Sequence, residues 1–204
     1  MNQSDQPKSY GSDHNLTFVD RFGVWLSARK LRRFAGSFRG KVVGDFGCGY
    51  NATFSRAILP EVSHLFLADH ELAEDLRSNS KITASEGNLE QVTAQLPSSS
   101  LDLCMCVSVL EHLVDPPQVL REFRRLLKPG GLLLVNVPSW RGKFFLELSA
   151  FRLSLSPAES IDDHKMYYDP KDLWIVLVAS GFAPSSLKIF RHKFGLNTFA
   201  VCRA

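Results

Sequence analysis

Apolar and polar positions alternate between two periods along this chain. KVVGDF, HLFLAD, KITASEG, LDLCMCVSV and GLLLVNVP are short apolar runs of strand length, and SLKIFRH and TFAVCRA close the sequence in the same way. Between them, ATFSRAIL, ELAEDLRS, PPQVLREFRRLL and PKDLWIVLVASG carry apolar residues at helical spacing. Upstream, Leu16, Val19, Phe22, Leu26 and Phe34 in LTFVDRFGVWLSARKLRRF predict an amphipathic helix, with a break expected near Gly23. Apolar strands separated by helices imply a mainly parallel sheet covered on both faces.

Helix punctuation sharpens several boundaries. Asp115 before Pro116 and Pro117 starts one helix, and Lys128-Pro129-Gly130-Gly131 stops it. Pro170 and Gly181 bracket another. The stretch from 138 to 169 exceeds an ordinary connection, so it is expected to form a lid or substrate insertion within one domain spanning 16–204. The first fifteen residues are polar and are expected to be flexible.

At 204 residues and 45% hydrophobic content, the chain has enough material for one α/β domain with a sizeable core. A net charge of +3 does not by itself call for a nucleic-acid partner, and no stable one is expected. Cys48, Cys104, Cys106 and Cys202 form neither a CxxC pair nor a dense disulfide framework, and read as reduced thiols. The N-terminal stretch has no basic-then-apolar leader pattern, which predicts a cytoplasmic protein. No apolar run approaches the roughly 18 to 20 residues that span a bilayer.

The chemistry concentrates around VVGDFGCGYNATF, a strand running into Gly47-Cys48-Gly49. Glycines there allow a sharp turn and a close backbone approach to a ligand. The dinucleotide pattern GxGxxG would place a third glycine at Ala52, and alanine is tolerated, so spacing leaves the cofactor open. Asp45 discriminates better. A carboxylate at the strand mouth repels a pyrophosphate but attracts the ammonium group of S-adenosylmethionine. Asp69, 22 residues beyond Gly47, suits hydrogen bonds from ribose hydroxyls, as either adenosine cofactor requires.

DFGCG, LADH, EGNLE, LDLCMCVSVLEHL and LREFRRLLKPGGLLLVNVP together resemble, in order, the motifs of class I S-adenosylmethionine-dependent methyltransferases of the small-molecule type. The resemblance covers residues 40–138, and HKMYYDPKDLWIVLVASGF is similar to the family's last helix. It implies a Rossmann-like three-layer sandwich: a seven-stranded, mostly parallel sheet with an antiparallel last strand. The cofactor would lie across the ends of the first, second and fourth strands. Asp45, Gly47, Cys48 and Gly49 would line its methionine end, and Asp69 with His70 its ribose. Asn88 and Leu89 would meet the adenine, and Val107 and Ser108 would lie beneath the methionyl portion. The family often has Asp where this chain has Asn88.

Methyl transfer needs alignment, exclusion of water and, for a hydroxyl acceptor, removal of a proton. Glu111 and His112 follow the fourth strand on the side where the methyl should point, with His112 as the expected base or, alternatively, a cap. His164 before the last helix is a second candidate. Trp140, Arg141 and Tyr167 suit an acidic or sugar-like acceptor through stacking and charge. VLEHL also resembles the ubiquinone-pathway O-methyltransferases, whose ExxEH arrangement is associated with a divalent metal. Ser108 stands at the first acid, and two ligands make a poor hard-metal site, so no metal is expected. These features point to methylation of a small-molecule, glycan- or lipid-related acceptor at oxygen. Alternatives are a cofactor-binding scaffold without turnover and an RNA methyltransferase. Six basic residues within 29–41 and the apolar stretch 144–155 also fit peripheral contact with an anionic membrane. Nothing in the pattern fixes an oligomeric state.

Overall fold

The computed structural model describes residues 18–144 and 165–204. The flexible start expected for 1–15 and most of the 138–169 insertion, including His164 and 145–155, lie outside the described residues.

The seven strands are β1 (Val42–Phe46), β2 (His64–Asp69), β3 (Ile82–Glu86), β4 (Leu101–Val107), β5 (Leu127–Pro138), β6 (Leu187–His192) and β7 (Asn197–Arg203). They form one sheet in the order β3-β2-β1-β4-β5-β7-β6. β1 to β5 pair in parallel, whereas β7 runs antiparallel between β5 and β6. This is the expected Rossmann-like arrangement. β5 begins earlier than its apolar run suggests: Leu127 pairs with Leu101, and the register shifts before Leu103 pairs with Leu132.

Alternation along the buried strands feeds two cores. Cys104 and Cys106 of β4, with Leu133, Val135 and Val137 of β5, face α5 (Pro116–Leu126) and α6 (Pro170–Ala179). Leu103, Met105 and Leu134 face α1 (Phe18–Ala35), α2 (Thr53–Ile58) and α3 (Glu74–Arg77). α5 shows the local logic: the Asp115 carboxylate accepts a hydrogen bond from the Gln118 amide at 3.1 Å, and Pro116 occupies the first turn. Its Val119, Leu120, Phe123 and Leu126 are buried at helical spacing.

Two local expectations change. α1 runs unbroken through Gly23, and it buries Leu31 and Ala35 while Phe22 faces solvent. A helix that the periodicity does not reveal, α4 (Leu89–Gln95), begins directly after β3, capped by Asn88 Oδ1 accepting from the Glu90 amide at 2.9 Å.

Candidate cofactor and acceptor site

Parallel strands aim their carboxyl ends at one edge, and the loops leaving β1, β2, β3 and β4 meet there. The β1 loop is tied down by backbone bonds. The Gly47 amide donates to Ala68 O at 2.7 Å, and the Gly49 amide donates to Asp69 Oδ2 at 2.7 Å. Asp69 Oδ1 accepts from the His70 amide at 2.8 Å, and the Gly87 amide donates to Asp69 O at 3.0 Å. One aspartate therefore joins three loops. Gly47, Cys48, Gly49, Asp69 and His70 form a single wall, with Asn88 at its β3 end.

Gly47 has φ +78°, and a Cβ there would lie 2.1 Å from Val109 Cγ2. Only glycine allows the β1 loop to pass under the turn after β4. Ser108 is itself left-handed at φ 56° and donates its amide to Asn136 O at 2.7 Å. Val107 is half-buried and Ser108 exposed.

Asp45 is 6% exposed, and its Oδ2 accepts a 2.6 Å hydrogen bond from Ser55 Oγ. Burial raises its pKa to about 6; the Ser55 bond opposes that shift, and the Asp69 charge adds to it. The Cys48 thiol is pushed up, first by burial and then by both aspartates, so it stays protonated. Two neighbouring carboxylates, Asp45 and Asp69, beside the glycine loop make the cradle electronegative. This chemistry fits a sulfonium and ammonium cofactor and opposes a pyrophosphate.

The turn Leu110–His112 separates Glu111 and His112 sharply. The Glu111 side chain is enclosed at 1% exposure, its Oε2 has no partner among the described residues, and burial raises its pKa to about 8, opposed in part by Lys193. The expected acid is therefore enclosed and not open to solvent. His112, next to it, is half-buried. Lys165, which periodicity did not single out, binds this turn twice: its amide donates to Glu111 O and its Nζ to His112 O, both at 2.7 Å. The chain returning from the insertion is thus fastened to the turn carrying His112.

The expected acceptor residues also assemble. Trp140 opens a helical turn over 140–144, and its ring centroid lies 5.6 Å from that of Tyr167. Lys143 Nζ sits 5.7 Å from both rings. Trp140 and Arg141 line an open recess with Phe144 and Leu196. The turn packs closely on the β6–β7 hairpin: a Cβ at Gly142 would lie 2.1 Å from Leu196 O, and Ser139 Oγ donates to Gly195 O at 2.7 Å.

Residues 44–135 match the family described as methyltransferase domain. The ubiquinone biosynthesis O-methyltransferase of Bordetella pertussis is 28% identical over 167 residues, 78% of this chain and 68% of that protein. An uncharacterized 37.1 kDa protein in transposon Tn4556 of Streptomyces fradiae is 33% identical over 102 residues; the match covers 47% of this chain and 30% of the length of that relative. Among solved structures, the SAM dependent methyltransferase from Archaeoglobus fulgidus shares the fold at a TM-score of 0.62 and 16% identity, covering 92% of this chain and 100% of the other. The strand order, the electronegative glycine cradle and the match over residues 44–135 agree in supporting a class I S-adenosylmethionine-dependent methyltransferase.

Proposed function

We propose that this protein transfers a methyl group from S-adenosylmethionine to a hydroxyl oxygen of a small molecule, including glycan- or lipid-linked ones. The observation that carries this reading is the position of His112. It sits on a turn whose Val109 packs on the cofactor loop at Gly47 and whose carbonyls are held by Lys165 from the acceptor side. The oxygen preference draws support from the O-methyltransferase relative.

In this reading, Asp45 holds the amino group, Gly47 and Gly49 give the methionine portion close backbone contact, and Asp69 receives the ribose hydroxyls. The Asn88 carbonyl oxygen already caps α4, which leaves its amide NH2 to meet an adenine acceptor nitrogen, with Leu89 beneath the ring. The bound cofactor supplies an activated methyl on a sulfonium. The chain supplies alignment by the Trp140, Tyr167 and Lys143 cluster, and an imidazole nitrogen of His112 accepts the acceptor's proton. His164 remains a candidate second base outside the described residues. Glu111 serves as a buried support of the turn. With its carboxyl enclosed, the Glu111-His112 pair is poorly arranged for a hard metal, so activity should survive dialysis against a chelator.

Calorimetric titration with S-adenosylmethionine and, separately, NAD tests the cofactor. Transfer of labelled methyl to a panel of hydroxylated and amino acceptors tests the reaction. Binding of NAD alone, or methylation confined to nitrogen, overturns the proposal. His112→Gln should lower kcat by about a hundredfold while cofactor affinity holds.

A further inference from the structure

One contiguous surface beside the acceptor recess carries exposed aromatic rings interleaved with cations. On α1, Phe22 and Trp25 stack with ring centroids 5.8 Å apart, and both are exposed. The Arg29 guanidinium lies 5.7 Å from the Trp25 ring. This part of α1 runs alongside the β6–β7 hairpin, because a Cβ at Gly23 would lie 3.6 Å from Lys193 Nζ. At the hairpin tip, Lys193 and Phe194 both adopt left-handed backbone, at φ 49° and 59°, an arrangement residues with a Cβ resist. The result is a phenylalanine side chain 85% exposed to solvent. Arg141 and Arg191 flank Gly195 at that tip, and Arg141 continues into the recess.

We infer that this face, formed by the first turns of α1 and the β6–β7 hairpin tip, docks on an anionic lipid bilayer and turns the acceptor recess toward it. Here cations sit among the exposed rings: Arg29 lies over Trp25, Lys193 reaches Gly23 between Phe22 and Trp25 in sequence, and Arg141 and Arg191 flank Gly195, the residue after Phe194. Aromatic rings with Lys and Arg are the residues that settle at the headgroup boundary, and the positive charge complements acidic lipid.

The structure also relocates the basic determinant that the sequence suggested. Arg32 is spent on Glu61 at 3.0 Å and on the Phe38 and Phe54 rings, so the 29–41 run is partly used within the domain. The inference rests on the lipid-linked form of the proposed acceptor for its purpose, but docking itself needs no methyl transfer.

The test is sedimentation of the full chain with two vesicle types at low and high salt. One contains phosphatidylcholine alone; the other contains two parts phosphatidylcholine to one part phosphatidylglycerol. Binding is expected only to the anionic vesicles and only at low salt. Trp25→Ala with Phe194→Ala should lower partitioning about tenfold, and Arg191→Gln about fivefold. The Phe194→Ser single variant, altered at an exposed tip, keeps the test valid if the double variant fails to fold. Each variant is checked by its melting temperature and its calorimetric response to S-adenosylmethionine, so failure of docking is distinguishable from failure of the cofactor reading. No pelleting with either vesicle overturns the inference, as does pelleting that the variants leave unchanged. A concentration-dependent dimer lost in the same variants, without vesicle binding, would assign the face to a second copy and overturn it as well.

Discussion

Replacing Glu111 with glutamine should stabilise the protein, increasingly so as pH rises. The wild-type carboxyl is enclosed, and its pKa moves from 4.5 to about 8 on folding because burial penalises the charged form. Below pH 4.5 both folded and unfolded chains hold the proton, so the group contributes no penalty there. As pH rises through the window to about 8, the unfolded chain releases the proton and the folded chain retains it, and the folded state loses stability. Each pH unit inside that window costs about 1.4 kcal/mol, so at pH 7.5 the wild type forgoes on the order of 4 kcal/mol. Glutamine approximates the shape of the neutral acid and does not titrate. Urea unfolding of both proteins at pH 5, 6, 7 and 8 measures the difference, and a midpoint separation growing by about 0.5 M per pH unit is expected for a domain of this size. Other titrating groups cancel between the two proteins. A separation that stays constant across the series would refute the reasoning, because it would mean that Glu111 is ionised in the folded protein.

Asp45 titrates within the same range but affects ligand binding. With its pKa at about 6, the carboxylate loses its charge as pH falls, so affinity for S-adenosylmethionine should drop about tenfold between pH 7 and 5, and calorimetry on Asp45→Asn should show weak binding without that slope. Gly47→Ala should reduce both cofactor affinity and stability, by about 2 kcal/mol or more, because it meets a forbidden φ and the Val109 methyl together. Adding Val109→Ala should restore only the steric part, which chemical unfolding of the double-mutant cycle would separate. Lys165→Met removes the Nζ bond to His112 O but leaves the backbone bond to Glu111 O. It should lower kcat several-fold with cofactor affinity unchanged, whereas an equal fall in both would mean that the residue supports the whole fold.

The strands and the tight glycine loop after β1 were legible because their physics is local. Apolar runs such as LDLCMCV need burial on both faces, and only a parallel sheet between helices provides it. Asp115 and the prolines after it marked α5 through a cap that the structure retains. α4 was hidden because it offers only Leu89, Val92 and Thr93 to the core and starts on a residue also suited to a loop. Phe22 fitted the helical period of α1, yet its face looks outward, since periodicity locates a stripe without fixing which side of it the sheet covers. Glu111 read as an accessible acid because its position after β4 says nothing of its burial, which only the folded packing sets, and distant parts of the chain then share its electrostatic surroundings through Lys193 and Tyr168.

The two halves of the site also differ in what holds them together. The wall at the ends of β1, β2 and β3 is fastened mainly by main-chain donors: Gly47 to Ala68, Gly49 to the Asp69 carboxylate, and Gly87 to the Asp69 carbonyl. Such a wall needs only a few glycines and one acid at fixed places, so its identity shows in a short motif. The acceptor side is built from side chains, with the Trp140 and Tyr167 rings around Lys143 and Lys165 reaching back to the His112 carbonyl. Those contacts change with each substitution, and no spacing rule announces them. Val109 bridges the halves, packed on Gly47 at one end of a turn whose other end Lys165 holds. A displacement of the cofactor loop therefore reaches His112 through a short stretch of rigidly bonded chain. In the proposed reading, the close approach of the cofactor is set by backbone geometry and its identity by the Asp45 carboxylate, while the acceptor side of the same turn is free to vary.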